Sequence, residues 1–421
     1  MNGVRLRHVV HVNPPCPTFD KLAPSSELTF LPMEAVWADA RLDVTRVTLK
    51  SDAATGYTRF QDGDVLLPKI TPTFEAGRSV LISGLRNGVG AGTTELHVLR
   101  PTREIDPRYL TYITQSRPFL KLGEAEMYGV AGQKRVPDDF VRDFRVDLPA
   151  VEEQRRIADF LDLETKRISQ LRELTQRQQW LETKRLSEFL RLATSTSSGV
   201  PNRETGLSWM PVASTAWPLL KVSYAFATGS GTTPSSNDAK YFEGDVPWVN
   251  SGDVPDGPIT TTVKAVTSAA LRDYPALKMF PPGALVVAMY GAGATKGRVG
   301  VLSVSACVNQ ACCVLMSMGR ITAEFAYYWF RSHRDGIVRL AAGAGQPNLS
   351  QELIRKLKMP APALCEQVNI VQTIQRQENV SRVKIEALRK RQDLLAERRQ
   401  ALITAAITGQ IDPTTARGGH E

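Results

Sequence analysis

Few residues of this 421-residue chain are of types and spacings that could make or break bonds. Its five cysteines, Cys16, Cys307, Cys312, Cys313 and Cys365, form no Cys-x-x-Cys pair and have no histidine at metal-ligand spacing. Reduced, structural thiols are therefore expected. The run Gly291–Gly297 carries Thr295-Lys296-Gly297 where a phosphate-cradling loop needs Gly-Lys-Ser/Thr. No histidine-carboxylate metal cluster and no nucleophile elbow occur in the sequence. Hydrogen-bonding chemistry remains, in cations and amides on turn-rich segments that can approach a partner closely. They are Arg86 and Asn87 in Ser83–Gly92, Gln133 with Lys134 and Arg135, Lys296 and Arg298 in Gly291–Gly300, and Gln346 with Asn348.

The elements that must position these residues fall into a repeating order. Val151 to Ala193 contains no Gly or Pro and carries Ile157, Phe160, Leu161, Ile168, Leu171, Leu174, Leu181, Phe189 and Leu190 at mostly three- and four-residue spacing. That pattern predicts one long amphipathic helix. At 1.5 Å per residue, about 40 residues extend about 60 Å, the length of a coiled-coil arm. Leu364 to Thr408 repeats the pattern, with Gly409 as a stop. Glu153-Gln154 aligns with Glu366-Gln367 and Gly132-Gln133 with Gly345-Gln346 at an offset of 213, Tyr112 with Tyr328 at 216, and Gly63 with Gly283 at 220. A period this long is a duplicated domain plus arm, with small insertions between the copies.

The globular parts read as α/β (α+β) with short strands. Val65–Leu67, Leu96–Leu99, Leu285–Val287 and Val299–Leu302 are strand candidates, and Tyr109–Ile113 and Phe325–Phe330 short helices. The expected organisation is a first globular domain over 1–147, an arm over 148–194, a Ser/Thr/Gly-rich linker over 195–206, a second domain over 207–358, an arm over 359–412 and a tail over 413–421. The two long helices are expected to pack as an antiparallel coiled coil. The longest apolar stretch, Ala284 to Tyr290, is far below the ~20 residues that span a bilayer. The apolar start at Val9–Val12 is stopped by Pro14 and Pro15, unlike a signal peptide, and a cytoplasmic protein is expected. A net charge of +9 permits an anionic partner. The arms contribute little of it: Val151–Arg191 holds 9 basic and 8 acidic residues, Glu366–Gln400 holds 8 and 5.

The run Gly132-Gln133-Lys134-Arg135-Val136-Pro137, then Leu148-Pro149 and Glu153-Gln154-Arg155-Arg156-Ile157-Ala158-Asp159-Phe160-Leu161-Asp162, resembles the junction between target-recognition domain and helical arm in the specificity subunits of type I restriction-modification enzymes. Gly90–Pro101 is similar to the G-S-T-E-F-x-V-L-R-P stretch of their first domain. Trp209 to Pro218, Gly231–Pro234, Val246-Pro247-Trp248, and Gly300-Val301 with Val308-Asn309-Gln310 resemble a second such domain. The resemblance covers almost the whole chain. It implies a non-catalytic subunit whose two globular halves each read one part of a split double-stranded DNA target. It implies arms that dock two methyltransferase subunits for adenine-N6 methylation, with restriction subunits adding cleavage. No cofactor is implied in this chain; S-adenosylmethionine would sit on the methyltransferase partner.

Under that resemblance Arg86, Asn87, Gln133, Lys134, Arg135, Lys296, Arg298, Gln346 and Asn348 become candidates for contact with base edges or phosphates. The competing reading of each is an ordinary loop cation or amide, and Gln133 and Gln346 could simply bond local backbone. Trp248 and Tyr290 could stack on a base or pack in a core. A rival function, a self-sufficient DNA adenine methyltransferase, rests on Asn13-Pro14-Pro15-Cys16, which is similar to the Asn-Pro-Pro-Tyr motif of those enzymes but has Cys in place of the stacking aromatic. Phe226–Thr233 resembles their glycine-rich cofactor loop but lacks the Asp-Pro lead-in.

Overall fold

The computed structural model describes residues 3–35, 42–130, 132–291, 295–343 and 348–412. The chain divides into two compact units, Met1–Arg177 with Leu388–Glu421, and Gln178–Ala387.

In the first unit the apolar run predicted as a strand forms Val65–Pro68. Val65 and Leu67 enter one buried cluster and Leu66 another, so both faces of this strand are covered. That is why the run is continuous rather than alternating in polarity. The strand lies in an antiparallel sheet ordered Val10–Val12, Leu96–Pro101, Val65–Pro68, Val80–Leu81. A second sheet is ordered Val47–Leu49, Glu27–Leu31, Val89–Gly92, Thr58–Gln61, with Glu27–Leu31 and Val89–Gly92 parallel.

The second unit repeats this plan. Leu285–Ala288 sends Leu285 and Val287 into one cluster and Val286 and Ala288 into another. Its sheet runs Phe226–Gly229, Cys312–Ser317, Leu285–Ala288, Val299–Leu302, Pro258–Ile259. In the smaller sheet Phe242–Val249 pairs antiparallel with Lys264–Val266 and parallel with Cys307–Val308, as Glu27–Leu31 pairs with its two neighbours. Gly63 and Gly283, aligned by the repeat, both take positive φ (89° and 83°) in the turn before the central strand.

The long helices span Val151–Ala193 and Leu364–Ile407. Within the first unit they run in opposite directions: Ile157 and Leu161 share a core with Ile403 and Ala406, and Gln392 Nε2 donates to the Arg172 carbonyl at 2.7 Å. Within the second unit Leu190 packs with Val371 and Ile374, and Ser381 Oγ donates to Glu182 Oε1 at 2.8 Å.

Two expectations are corrected. Leu171, Leu174 and Leu181 do not line the buried seam: they are 37%, 56% and 50% exposed, while Thr165 and Thr175 are buried. The threonine hydroxyls satisfy themselves on the carbonyls four residues back, Leu161 at 2.6 Å and Leu171 at 2.7 Å, which lets a polar residue occupy an apolar position. The stretch 195–206 is not a free linker. Ser195 is buried against His333, with 3.0 Å between Oγ and Nε2, and Asn202–Leu207 forms a hairpin with Met210–Ser214. Composition rich in Ser, Thr and Gly suits a hydrogen-bonded hairpin as well as a tether.

Candidate nucleic-acid interface

The duplicated central strand positions most of the candidate residues at one of its ends. In the first unit, Val65–Pro68 runs into Lys69, whose carbonyl accepts from the Val136 amide at 2.8 Å. Thr71 and Lys134 exchange two bonds: the Thr71 amide to the Lys134 carbonyl at 3.0 Å, and the Lys134 amide to Thr71 Oγ1 at 3.1 Å. Gln133 and Lys134 are thereby held exposed at the strand end. Arg135 grips Glu95 with two nitrogens, Nη2 to Oε1 at 2.7 Å and Nε to Oε2 at 2.8 Å. The guanidinium holds the Glu95 carboxyl below its ordinary range, and Glu95 in turn raises Arg135.

In the second unit the loop after Leu285–Ala288 folds back on that strand. The Ala288 amide donates to the Arg298 carbonyl at 2.9 Å and the Gly297 amide to the Ala288 carbonyl at 2.8 Å, leaving Lys296 and Arg298 half-buried. The Leu349 amide donates to the Met289 carbonyl at 3.1 Å, bringing exposed Asn348 to the same end. Gln346 lies outside the described residues. Each unit thus presents a loop with basic and amide side chains at the end of its most buried strand.

Arg86 and Asn87 stand elsewhere, in the turn that leads into Val89–Gly92 of the unit's second sheet, where both bond Glu27. Arg86 Nη2 pairs with Glu27 Oε2 at 2.8 Å, and Asn87, at φ 56°, donates from Nδ2 to the Glu27 carbonyl at 2.8 Å. Trp248 is 3% exposed in a core with Tyr241 and Val266, which removes it as a stacking surface. Tyr290 is half-buried against the main core of its unit.

The residues that suggested a methyltransferase serve the fold. Asn13 Oδ1 accepts from the Val98 amide at 2.9 Å and its Nδ2 lies 3.1 Å from His97 Nδ1, so the amide is already engaged. Phe226–Gly229 is a strand, and a Cβ on Gly231 would stand 1.8 Å from the Val308 carbonyl oxygen; close packing explains that glycine. Among the described residues no group of three or more His, Cys, Asp or Glu could hold a metal, and no helix is long and apolar enough to cross a membrane.

Sequence reasoning missed two sets of residues. Tyr57, Arg59 and Lys69 line a polar pocket of about 340 Å³ with Asn13, Pro14 and Pro15; the place of Lys69, directly after an apolar strand, was the available signal. Gln154 and Gln367 are both fully buried and make the same three bonds. Gln154 Oε1 accepts from the Asp106 amide, and its Nε2 donates to the carbonyls of Glu104 and Pro149. Gln367 does so with the Thr322 amide and the carbonyls of Arg320 and Pro362. Each ties its domain to the start of a long helix, and their alignment in the repeat had marked them.

Residues 225–395 match the family model described as the type I restriction modification DNA specificity domain. That segment is similar to the type I restriction modification DNA specificity domain. The chain is 39% identical over 156 residues to the EcoAI specificity subunit of Escherichia coli, and 38% over 158 residues to the EcoEI specificity subunit of the same organism. These alignments take in 36% and 37% of this chain and 26% of each relative, so the chain spans about a quarter of the curated relatives it matches. Two solved structures share the fold of this chain. One comes from work on complex assembly and conformational transition of the type I restriction-modification system (TM-score 0.76, 20% identity, 98% of this chain and 99% of that one). The other is the HsdS subunit from Thermoanaerobacter tengcongensis (TM-score 0.58, 18% identity, 97% and 96%).

Proposed function

We propose that the chain is the non-catalytic DNA-specificity subunit of a type I restriction-modification system. In this reading 1–147 and 207–358 each read one half of a bipartite target, and 148–194 and 359–412 are arms that place two methyltransferase subunits over adenines. Those partners carry S-adenosylmethionine, and restriction subunits add cleavage. The assembly works on cytoplasmic DNA. The observation that carries the reading is the duplication itself: four antiparallel strands in matching order in the two main sheets, Val10–Val12, Leu96–Pro101, Val65–Pro68, Val80–Leu81 and Phe226–Gly229, Cys312–Ser317, Leu285–Ala288, Val299–Leu302, with each unit ending its buried strand in a basic loop and tied to a long helix by an equivalent buried glutamine. Gln133, Lys134, Arg135, Lys296, Arg298 and Asn348 supply contacts at those ends, cations to phosphates or guanine and amides to adenine.

The test is binding of duplex DNA by the full chain with its methyltransferase partner, followed by incubation with labelled S-adenosylmethionine. The expected result is preference for one split sequence, a steep loss of affinity with salt, and methyl transfer only when the partner is present. Methyl transfer by the chain alone, or binding without sequence preference, would overturn the proposal.

A further inference from the structure

The pocket of Tyr57, Arg59 and Lys69 lies in the first unit at the strand end that the repeat matches to the Lys296–Arg298 loop of the second. Its walls are fixed before any ligand arrives. Arg100 pairs with buried Asp64 through Nε at 2.8 Å and Nη2 at 2.9 Å, while its Nη1 donates to the Pro15 carbonyl at 2.9 Å, pinning the Pro14–Pro15 wall. The Arg59 guanidinium lies 4.3 Å from the centre of the Phe19 ring, with Nη1 3.4 Å from Asp20 Oδ1. Tyr57 is 41% exposed.

The charges of this region are unevenly spent. Arg86 is matched by Glu27, Arg100 by Asp64 and Arg135 by Glu95. Lys69 has no ion-pair partner among the described residues: Glu95, on whose carboxyl it acts, is gripped by Arg135, and Asp20, which also lines the pocket, pairs with Arg59. A half-buried, unmatched ammonium in a rigid polar concavity is an arrangement that an anion completes.

Resting on the specificity-subunit reading above, we infer that this pocket holds a backbone phosphodiester of the half-site read by the first unit. Lys69 and Arg59 take the phosphate oxygens, and Tyr57 with Pro14 and Pro15 packs on the adjoining sugar. The contact sets the register in which the Gln133–Arg135 loop meets the bases.

The test uses the full chain with its methyltransferase partner and a duplex bearing the split target. Lys69→Ala is expected to weaken binding to all sequences alike and to lower the slope of log affinity against log salt by about 0.9, one phosphate's worth. Lys121→Ala, a paired surface cation on the Arg117–Ala125 helix, is expected to leave both unchanged. Acylation footprinting of the unmutated complex gives a readout independent of folding: duplex should shield Lys69, and inorganic phosphate alone should not. An unchanged slope in Lys69→Ala, or full reactivity of Lys69 in the bound complex, overturns the inference while a split-site preference of the unmutated complex leaves the subunit reading standing. Shielding by free phosphate as strong as by duplex marks a small-anion site and also overturns it. Absence of split-site preference in the unmutated complex defeats the subunit reading itself.

Discussion

Gln154→Met and Gln367→Met should each cost several kcal/mol, and the two losses should fall on different units. Each glutamine is fully buried and satisfies one amide and two carbonyls: Asp106, Glu104 and Pro149 at 2.9, 3.0 and 2.9 Å, or Thr322, Arg320 and Pro362 at 2.8, 3.0 and 2.9 Å. Methionine keeps the length of the side chain and removes every bond. Three buried polar groups left unpaired at about 1–3 kcal/mol each give about 3–9 kcal/mol gross. Burial of the thioether chain returns about 1–2, leaving a net loss of about 1–8 kcal/mol against a domain stability of about 5–15. Five of the six tryptophans, Trp180, Trp209, Trp217, Trp248 and Trp329, fall in Gln178–Ala387, so tryptophan emission during urea unfolding reports the second unit. Gln367→Met should move that transition and Gln154→Met should leave it nearly in place. Hydrogen exchange read by mass spectrometry should show the reverse, with faster exchange at the Asp106 amide in Gln154→Met. A shift below about 1 kcal/mol in the affected unit, or unchanged exchange at these amides, would refute the claim that the glutamines bear the domain-to-helix junctions.

Three further outcomes follow from single features. Burial pushes the His333 imidazole down to about 4, where its neutral form donates from Nδ1 to the Trp329 carbonyl at 2.9 Å and accepts from Ser195 at Nε2. Below pH 6.5 the unfolded chain takes a proton that the folded chain refuses, so the stability of the second unit is complete above about 6.5. It should fall by up to about 3 kcal/mol as pH drops toward 4; urea midpoints from tryptophan emission should show this slope, flattened in His333→Gln. Gly231→Ala places a Cβ 1.8 Å from the Val308 carbonyl oxygen and should destabilise the second unit by about 1–3 kcal/mol or more, since backbone must move to admit it; an unchanged urea midpoint would contradict the packing. Deleting the seven residues Ile168–Leu174 shortens the first long helix by roughly 10 Å and should alter the spacing of the recognised half-sites or abolish binding, as read from a library of duplexes with varied gaps.

Elements covered on both faces were the most legible in the sequence. Val65–Leu67 and Leu285–Val287 stand out because a strand buried between two clusters needs apolar residues at every position. The long helices were legible because 43 and 44 residues pass without a helix-breaking proline or glycine. The second sheet of each unit was not, because its strands are short and mixed in polarity, as in Val47–Leu49 and Lys264–Val266. The buried face of the first long helix was misjudged at Leu171 and Leu174, since hydrophobicity alone cannot show that Thr165 and Thr175 hide their hydroxyls on their own backbone.

The candidate contacts show a different limit. Residue type and loop context pick out cations, but availability depends on carboxylates remote in sequence. Glu27 lies 59 positions from Arg86 and Glu95 lies 40 from Arg135, and each claims its arginine. Lys69 drew no notice because a single lysine after an apolar strand is common, yet it is the cation whose nearby carboxylate is already occupied by Arg135. In a surface where arginines and carboxylates are largely matched, the unmatched charge predicts the anion's position better than the most basic loop does. Reversing the match is therefore the informative perturbation: Glu95→Gln would release Arg135 to join Lys69, and DNA binding by the complex should gain in salt slope by up to about 0.9 for the freed cation. No gain would mean that Arg135 is held by the fold for reasons other than its carboxylate.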